Sequence, residues 1–129
     1  MEPYSVALAF PGRQSVAIVG DGGFAMLMAE LATAVQLKLP VKMMILKNNS
    51  LAEVRFEQAG LGYGPFGVDL GPIDFAGYAR ACGAAGFHAG SAIELHSVIQ
   101  SALNAVGPAV MEVDVDPNEP PTMPDRLKA

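Results

Sequence analysis

Two short, almost wholly apolar runs constrain the fold of this chain most. They are 15–19 (SVAIV) and 41–46 (VKMMIL), and between them residues 24–37 carry apolar side chains at helical spacing. Apolar runs of this length are typical of strands buried on both faces of a parallel sheet. A strand, a helix and a strand within about 30 residues predict a right-handed βαβ unit.

The rest of the chain continues the alternation of helices and strands. The predicted elements are a short helix over 51–58, a Gly-rich loop over 59–72, a helix capped by Asp74, an edge strand over 85–89, a further helix, and a last strand over 109–115. This order predicts a doubly wound parallel α/β sheet flanked by helices. We expect one domain over 1–115 and a Pro-rich extended tail over 116–129.

Composition excludes several classes of function. Apolar residues make up 51% of the chain, charged residues 16%, and the formal net charge is −5. Nothing forms the basic stripe that nucleic-acid binding needs. No apolar stretch approaches the about 20 residues of a transmembrane segment, and no secretory signal is seen, so a cytoplasmic protein is expected. The single Cys82 predicts a reduced thiol.

Oxygen-bearing side chains follow both predicted strands of the βαβ unit. Gly20-Asp21-Gly22-Gly23 follows the first strand, and Asn48-Asn49-Ser50 follows the second. The carboxyl ends of parallel strands share one edge of a sheet, where ligands bind. Carboxylate and carboxamide oxygens suit Mg²⁺, and the glycines let phosphate approach the backbone. The pair of motifs predicts a Mg²⁺–diphosphate site, and the glycine spacing does not match a dinucleotide fingerprint.

These motifs resemble the signature of thiamine-diphosphate-dependent enzymes. The resemblance runs from about Pro11 to Pro121, and GDGGFAMLM, VQLKLPVK and KNNSLAEV look most like the pyruvate oxidase and quinone-linked pyruvate dehydrogenase branch, with acetolactate synthase a close relative. It implies the C-terminal diphosphate-binding domain and the thiamine-diphosphate-binding fold, truncated here at the N-terminus.

The resemblance also implies a ligand set. The metal would be held by the side chains of Asp21 and Asn48 and by the Ser50 carbonyl, with Asn49 the alternative to Asn48 if the chain carries a one-residue insertion. Lys47 stands where the family's pair usually has its first Asn. The implied cofactor-binding residues are Gly20, Asp21, Gly22, Gly23, Phe24, Asn48, Ser50 and Leu51.

Two positions after the second motif bear on the reaction. Val54 stands where pyruvate decarboxylase-like enzymes carry Glu, which argues against simple aldehyde release. Glu57 matches an acidic residue of pyruvate oxidases and is the catalytic acid–base candidate, the alternative being a solvated helix residue beside Arg55. His88 and His96 are expected far from the motif edge, as structural or surface residues.

The implied activity is decarboxylation of a 2-oxo acid such as pyruvate, followed by oxidation or transfer. It would need thiamine diphosphate, Mg²⁺ and a pyrimidine-binding domain or subunit supplying a Glu, within a homo-oligomer; FAD would bind only through a domain absent from this chain. Two alternatives stay open. One is a non-catalytic cofactor-binding or assembly fragment lacking that Glu, and the other is a generic α/β domain with a fortuitous motif.

Overall fold

Four parallel strands form the centre of the structure, a computed structural model that describes residues 2–117 of the chain. The strands are β1 (Ser15–Gly20), β2 (Val41–Lys47), β3 (Ala85–Ala89) and β4 (Ala109–Asp114). The helices are α1 (Glu2–Ala9), α2 (Asp21–Leu27), α3 (Glu30–Gln36), α4 (Ala52–Gly60), α5 (Phe75–Ala81) and α6 (Ala92–Asn104).

The strand order β1-β2-β4-β3 sets one common edge for the functional motifs. Gly20 at the end of β1 is opposite Leu46 of β2, and Lys47 is opposite Asp114 at the end of β4. Because all pairs are parallel, the residues that follow β1 and β2 emerge at the same edge. The predicted parallel α/β sheet flanked by helices is confirmed.

Each face of the sheet has its own apolar cluster. Leu31, Ile45, Phe75 and Val110 belong to a cluster on the side of α3 and α5. The opposite cluster consists of Ala89, Val98, Ala102, Ala109, Met111 and Val113, on the side of α6. Neighbouring residues Val110 and Met111 point to opposite faces, as the period of a strand requires.

The α6 side of the sheet is covered over only part of its width. Helix α6 packs on β3 and β4, while Val16 and Ile18 of β1 are 53% and 67% exposed. Ile18 is in register with Met44, which packs into the α6 cluster, so both belong to that face. An apolar strip at the β1 edge therefore faces solvent.

Lys42 anchors the carboxyl end of α6 to β2. Its side chain is fully buried, and Nζ donates hydrogen bonds of 2.6 Å to the carbonyls of Ala105 and Gly107. A cation beside the last carbonyls of a helix is favourable. Burial lowers the pKa of Lys42, because the charged form loses hydration.

The single helix predicted over 24–37 is wrong in detail. The structure has α2 from Asp21 and α3 from Glu30, with a break at Met28. The Met28 carbonyl accepts the Leu31 N–H three residues on (3.1 Å) and the Tyr78 hydroxyl (2.9 Å). A tightened turn and a side chain from α5 thus replace the regular helical bond at this carbonyl.

Other boundaries shift by a few residues. The predicted helix over 51–58 is α4, Ala52–Gly60, and the predicted helix after Asp74 is α5, whose Gly77 N–H is accepted by Asp74. Most of the predicted tail, 118–129, lies outside the described residues, so the boundary at 115 stays a prediction. Among residues 2–117, no helix has the length and apolar character that crossing a bilayer requires.

Candidate functional site at the carboxyl edge of the sheet

The Asp21 carboxylate lies at the start of α2 and is only 4% exposed. Its Oδ1 accepts the Gly22 N–H at 2.8 Å, and its Oδ2 accepts the N–H groups of Asn48 (3.1 Å) and Asn49 (2.6 Å). The buried Asp21 carboxylate is therefore held by backbone N–H donors from both motifs.

The turn after β2 is fixed by its own polar groups. The Asn48 Oδ1 accepts the Ser50 N–H at 3.0 Å, an Asx-type turn. Asn49 has φ of 55°, the left-handed region that asparagine tolerates better than most residues. The structure thus brings Asp21, Asn48 and Ser50 together, as the spacing predicted. Their service as metal ligands stays a prediction.

Gly22 leaves the space that Leu51 fills. A Cβ built at Gly22 would lie 2.5 Å from Leu51 Cδ2 and 3.4 Å from Leu70 Cδ1. At Gly20 a Cβ would meet nothing within 4 Å. A side chain at Gly22 would thus displace Leu51 of the second motif, whereas Gly20 opens onto free space beside Asp21.

Residues 68–70 of the Gly-rich loop form a strap across the second motif. Leu51 N–H donates to the Val68 carbonyl (2.8 Å), and Leu70 N–H donates to the Asn49 carbonyl (2.9 Å). An antiparallel bridge joins Ser50 and Asp69, and the Ser50 hydroxyl donates to the Val68 carbonyl at 3.2 Å. The Gly-rich loop therefore shapes the site by fixing the backbone at 49–51.

A cleft of about 380 Å³ opens at these two motifs. Seven of the predicted cofactor-binding residues line it: Gly20, Asp21, Gly22, Gly23, Asn48, Ser50 and Leu51. Residues outside the predicted cofactor-binding set also line it: Leu46, Ala52, Glu53, Val54 and Val115. Leu46 is the next-to-last residue of β2 and Val115 follows β4, so their places could have been read from the predicted strand ends at 46 and 115.

Phe24 is the predicted cofactor-binding residue that does not line this cleft. It is 4% exposed and packs edge-to-face on Phe75, with ring centroids 5.5 Å apart. It borders a different cleft, of about 350 Å³, between α1 and β1, together with Tyr4. Burial, with a smaller contribution from the Glu30 carboxylate, raises the pKa of Tyr4. The buried Phe24 side chain thus belongs to the apolar core beneath α2, where it contacts Phe75.

Glu57 is exposed on α4 and is not among the residues that line the cleft, whereas Glu53, one turn earlier, is. Residues four apart lie on one helix face, so a shift of one turn separates the two positions. The predicted catalytic role of Glu57 stays a prediction. Arg55, between them, forms an ion pair with Asp69 and so ties α4 to the strap.

A second group of charged side chains lies along the same edge. Lys47 Nζ is 2.6 Å from Glu112 Oε1, and both side chains are nearly buried. His88 Nε2 lies 3.0 Å from Asp114 Oδ2, with both side chains about half exposed. The expectation that His88 lies far from the motif edge is wrong, because β3 is parallel to the other strands and His88 is opposite Glu112. His96 is exposed on α6.

The residues present fit a divalent cation with a diphosphate. The donors gathered at the cleft are hard oxygens, a carboxylate and a carboxamide, which Mg²⁺ prefers. The open space beside Gly20 allows a ligand to approach the backbone next to Asp21. The cation would offset the repulsion between a diphosphate and the Asp21 carboxylate.

Comparison with known proteins gives a consistent result. Residues 4–113 match the family described as thiamine pyrophosphate enzyme, C-terminal TPP binding domain. The chain is 39% identical over 117 residues to YdaP of Bacillus subtilis (strain 168), named as a thiamine pyrophosphate-containing protein, covering 91% of this chain and 20% of the relative. Acetolactate synthase of the same organism is 36% identical over 110 residues, with coverage of 85% and 19%.

A solved structure shows the same fold. The thiamine diphosphate-dependent 4-hydroxybenzoylformate decarboxylase of Rhodococcus jostii RHA1 superposes with a TM-score of 0.82 and 31% sequence identity, covering 88% of this chain and 22% of the decarboxylase. The chain spans about a fifth of the length of the curated relatives it matches.

Proposed function

Because this chain belongs to the family of thiamine pyrophosphate enzymes, as a C-terminal TPP-binding domain, we propose that its cleft binds thiamine diphosphate through Mg²⁺. The diphosphate occupies the space beside Gly20, and the cation is held by the side chains of Asp21 and Asn48 and by the Ser50 carbonyl. The observation that carries this proposal is the buried Asp21 carboxylate, held by backbone N–H groups of the second motif.

The chain's own residues bind and orient the cofactor. Asp21 supplies the negative charge, and its hydrogen bonds fix the direction of the carboxylate before a cation arrives. Asn48 supplies a neutral oxygen whose position is set by the Ser50 N–H. Leu46, Val54 and Val115 form an apolar wall of the cleft. Thiamine diphosphate, when bound, supplies the nucleophilic carbon and the electron sink for decarboxylation.

We extend the proposal to the reaction class. The chain acts as the C-terminal module of an enzyme that decarboxylates a 2-oxo acid such as pyruvate, and then oxidises or transfers the product. Its likeness to acetolactate synthase and to a 4-hydroxybenzoylformate decarboxylase supports this class. Activity requires a pyrimidine-binding domain or subunit, and the assembly is a homo-oligomer in the cytoplasm.

One observation favours the alternative, a cofactor-binding or assembly fragment without catalysis. Glu53 and Asp21 are the charged residues lining the cleft within residues 2–117, and Glu57 lies outside it. An isolated chain of this kind has a diphosphate site but few groups to move protons. The two functions share cofactor binding and differ in turnover.

Calorimetry with thiamine diphosphate, with and without Mg²⁺, tests the binding site. We expect Mg²⁺-dependent binding that weakens about tenfold or more in Asp21→Ala, since removing the carboxylate removes the charged ligand. Asp74→Ala is the matched control, because Asp74 also accepts a backbone N–H (Gly77, 2.6 Å) but lies outside the cleft. Binding that survives both EDTA and Asp21→Ala refutes the site.

A chimaera tests catalysis. This chain would replace the corresponding part of Bacillus subtilis acetolactate synthase, and CO₂ release from pyruvate would be measured. Release above that of the same chimaera carrying Asp21→Ala supports the enzymatic role. If the chimaera binds thiamine diphosphate but releases no CO₂, the result supports the non-catalytic alternative.

A further inference from the structure

Strand β2 carries two lysines, and one of them lies directly before the cation site. We propose that the ion pair between Lys47 and Glu112, here called the clamp, is a positioning device that holds the Asn48 and Asn49 amides against Asp21. This inference rests on the proposed function, because the geometry it maintains is that of the proposed cation site.

Lys47, the last residue of β2, makes two contacts with β4 and its end, and its partner Glu112 is itself held by α5. Lys47 Nζ lies 2.6 Å from Glu112 Oε1, and the Lys47 carbonyl accepts the Val115 N–H at 2.9 Å. The other carboxylate oxygen of Glu112 accepts the Ala76 N–H in the first turn of α5 at 3.0 Å. Through Glu112, the end of β2 is thus joined to β4 and to α5.

The clamp acts on the site through one short stretch of backbone. Asn48 and Asn49 follow Lys47 directly, and their N–H groups are the donors to Asp21 Oδ2. A movement of the Lys47 backbone is passed to these donors, because neighbouring Cα atoms keep a fixed separation of about 3.8 Å. Loss of the clamp is therefore expected to loosen both hydrogen bonds to Asp21 and the placement of the Asn48 oxygen.

Burial makes it costly to remove only one of the two charges of the clamp. The side chains of Lys47 and Glu112 are 13% and 5% exposed. Removing one partner leaves the other charge buried and unpaired, whereas removing both charges together avoids that penalty. This asymmetry allows the positioning role to be separated from general stability.

Amide hydrogen exchange tests the clamp without any ligand. In Lys47→Met we expect the Asn48 and Asn49 amides to exchange about tenfold faster than in the wild type. Lys42→Met is the matched control, since Lys42 is also buried on β2 but holds the end of α6. The control should lower overall stability while leaving the exchange of these two amides, relative to that of the core strands, unchanged.

Cofactor affinity gives the second readout. In calorimetry with thiamine diphosphate and Mg²⁺, Lys47→Met and Glu112→Gln should each weaken binding about tenfold. The double variant should weaken it by no more than either single change, because both remove one interaction. Lys47→Arg, which restores the charge, should recover affinity to within about threefold, and Lys42→Met should stay within about twofold.

The outcomes separate the two proposals. Wild-type affinity in Lys47→Met, or unchanged exchange at Asn48 and Asn49, overturns the clamp. Absence of binding by the wild-type chain overturns the proposed function instead, and the exchange measurement still decides the clamp. If Lys47→Met does not fold, the double variant Lys47→Met/Glu112→Gln takes its place, because it leaves no unpaired buried charge.

Discussion

Asp21 and Asn49 are 28 residues apart in sequence, yet the Asn49 N–H donates a 2.6 Å hydrogen bond to the Asp21 carboxylate. This bond joins the end of β1 to the end of β2. The conformation of the second motif therefore depends on the Asp21 carboxylate. A substitution in either motif is expected to change the conformation of the other motif.

Gly22→Ala should lower the stability of the chain. The new Cβ would lie 2.5 Å from the Leu51 Cδ2 methyl, so the Leu51 side chain must shift, and overpacking of this kind costs about 1–3 kcal/mol. Gly20→Ala meets no neighbour and should leave the free energy of unfolding within about 0.5 kcal/mol while weakening cofactor binding. Urea unfolding and calorimetry measure both effects. Equal stability of the two variants would contradict the packing role of Gly22.

Glu53 should affect diphosphate binding more than Glu57 does. Glu53 lines the cleft, so its charge repels an anionic ligand, while Glu57 faces solvent on the next turn. At low ionic strength, Glu53→Gln is expected to tighten binding of thiamine diphosphate about threefold, and Glu57→Gln by less than about 1.5-fold. A larger effect from Glu57→Gln than from Glu53→Gln would contradict this prediction and would support the predicted catalytic role of Glu57.

Tyr78 should make stability fall at alkaline pH. Burial first, then the hydrogen bond and charge of the Cys82 thiol, raise the pKa of Tyr78 to about 12. A tyrosine in the unfolded chain has a pKa of about 10. The stabilisation is therefore complete below that pH, and it is lost as the pH rises towards the pKa of Tyr78 in the folded chain. Urea unfolding from about pH 9 to pH 12 should show a shallower decline in Tyr78→Phe than in the wild type.

The same variant has an effect at neutral pH. Tyr78→Phe removes the hydroxyl that donates to the Met28 carbonyl, which should cost about 1 kcal/mol. An alkaline decline as steep in Tyr78→Phe as in the wild type would assign the loss of stability to other groups.

The apolar strip at the β1 edge should drive self-association of the chain. Val16 and Ile18 are more than half exposed, on the sheet face where α6 packs on β3 and β4, and exposed apolar edges associate. Sedimentation should show oligomers that dissociate in the double variant Val16→Lys/Ile18→Lys. Ile93→Lys is the control, because Ile93 is 93% exposed on α6. A monomeric wild-type chain would contradict this prediction.

The sequence was sufficient where local pattern decides the structure. Apolar runs located β1 and β2, and the motifs after them placed Asp21 beside Asn48, because parallel strands share an edge. Features that depend on residues far away in the sequence were not predicted. The break at Met28 is set by a hydroxyl 50 residues away, and the clamp joins residues 65 apart.

The direction in which a side chain points was the second feature that the sequence could not predict. Phe24 lies in the Gly-Asp-Gly-Gly-Phe stretch, but it turns into the core against Phe75 and leaves the cleft to the glycines. Periodicity could locate α4, yet it could not decide whether Glu53 or Glu57 reaches the cleft, since both lie on one helix face. Such choices depend on how the helix is rotated on the sheet.

The left-handed backbone conformation of Asn49 limits which residues can occupy this turn. At φ of 55°, most side chains would crowd their own carbonyl groups, and the penalty is greatest for branched ones. A random library at this position, screened for folded protein, should return asparagine, glycine and aspartate first. Stereochemistry therefore restricts which residues can replace Asn49 in this turn.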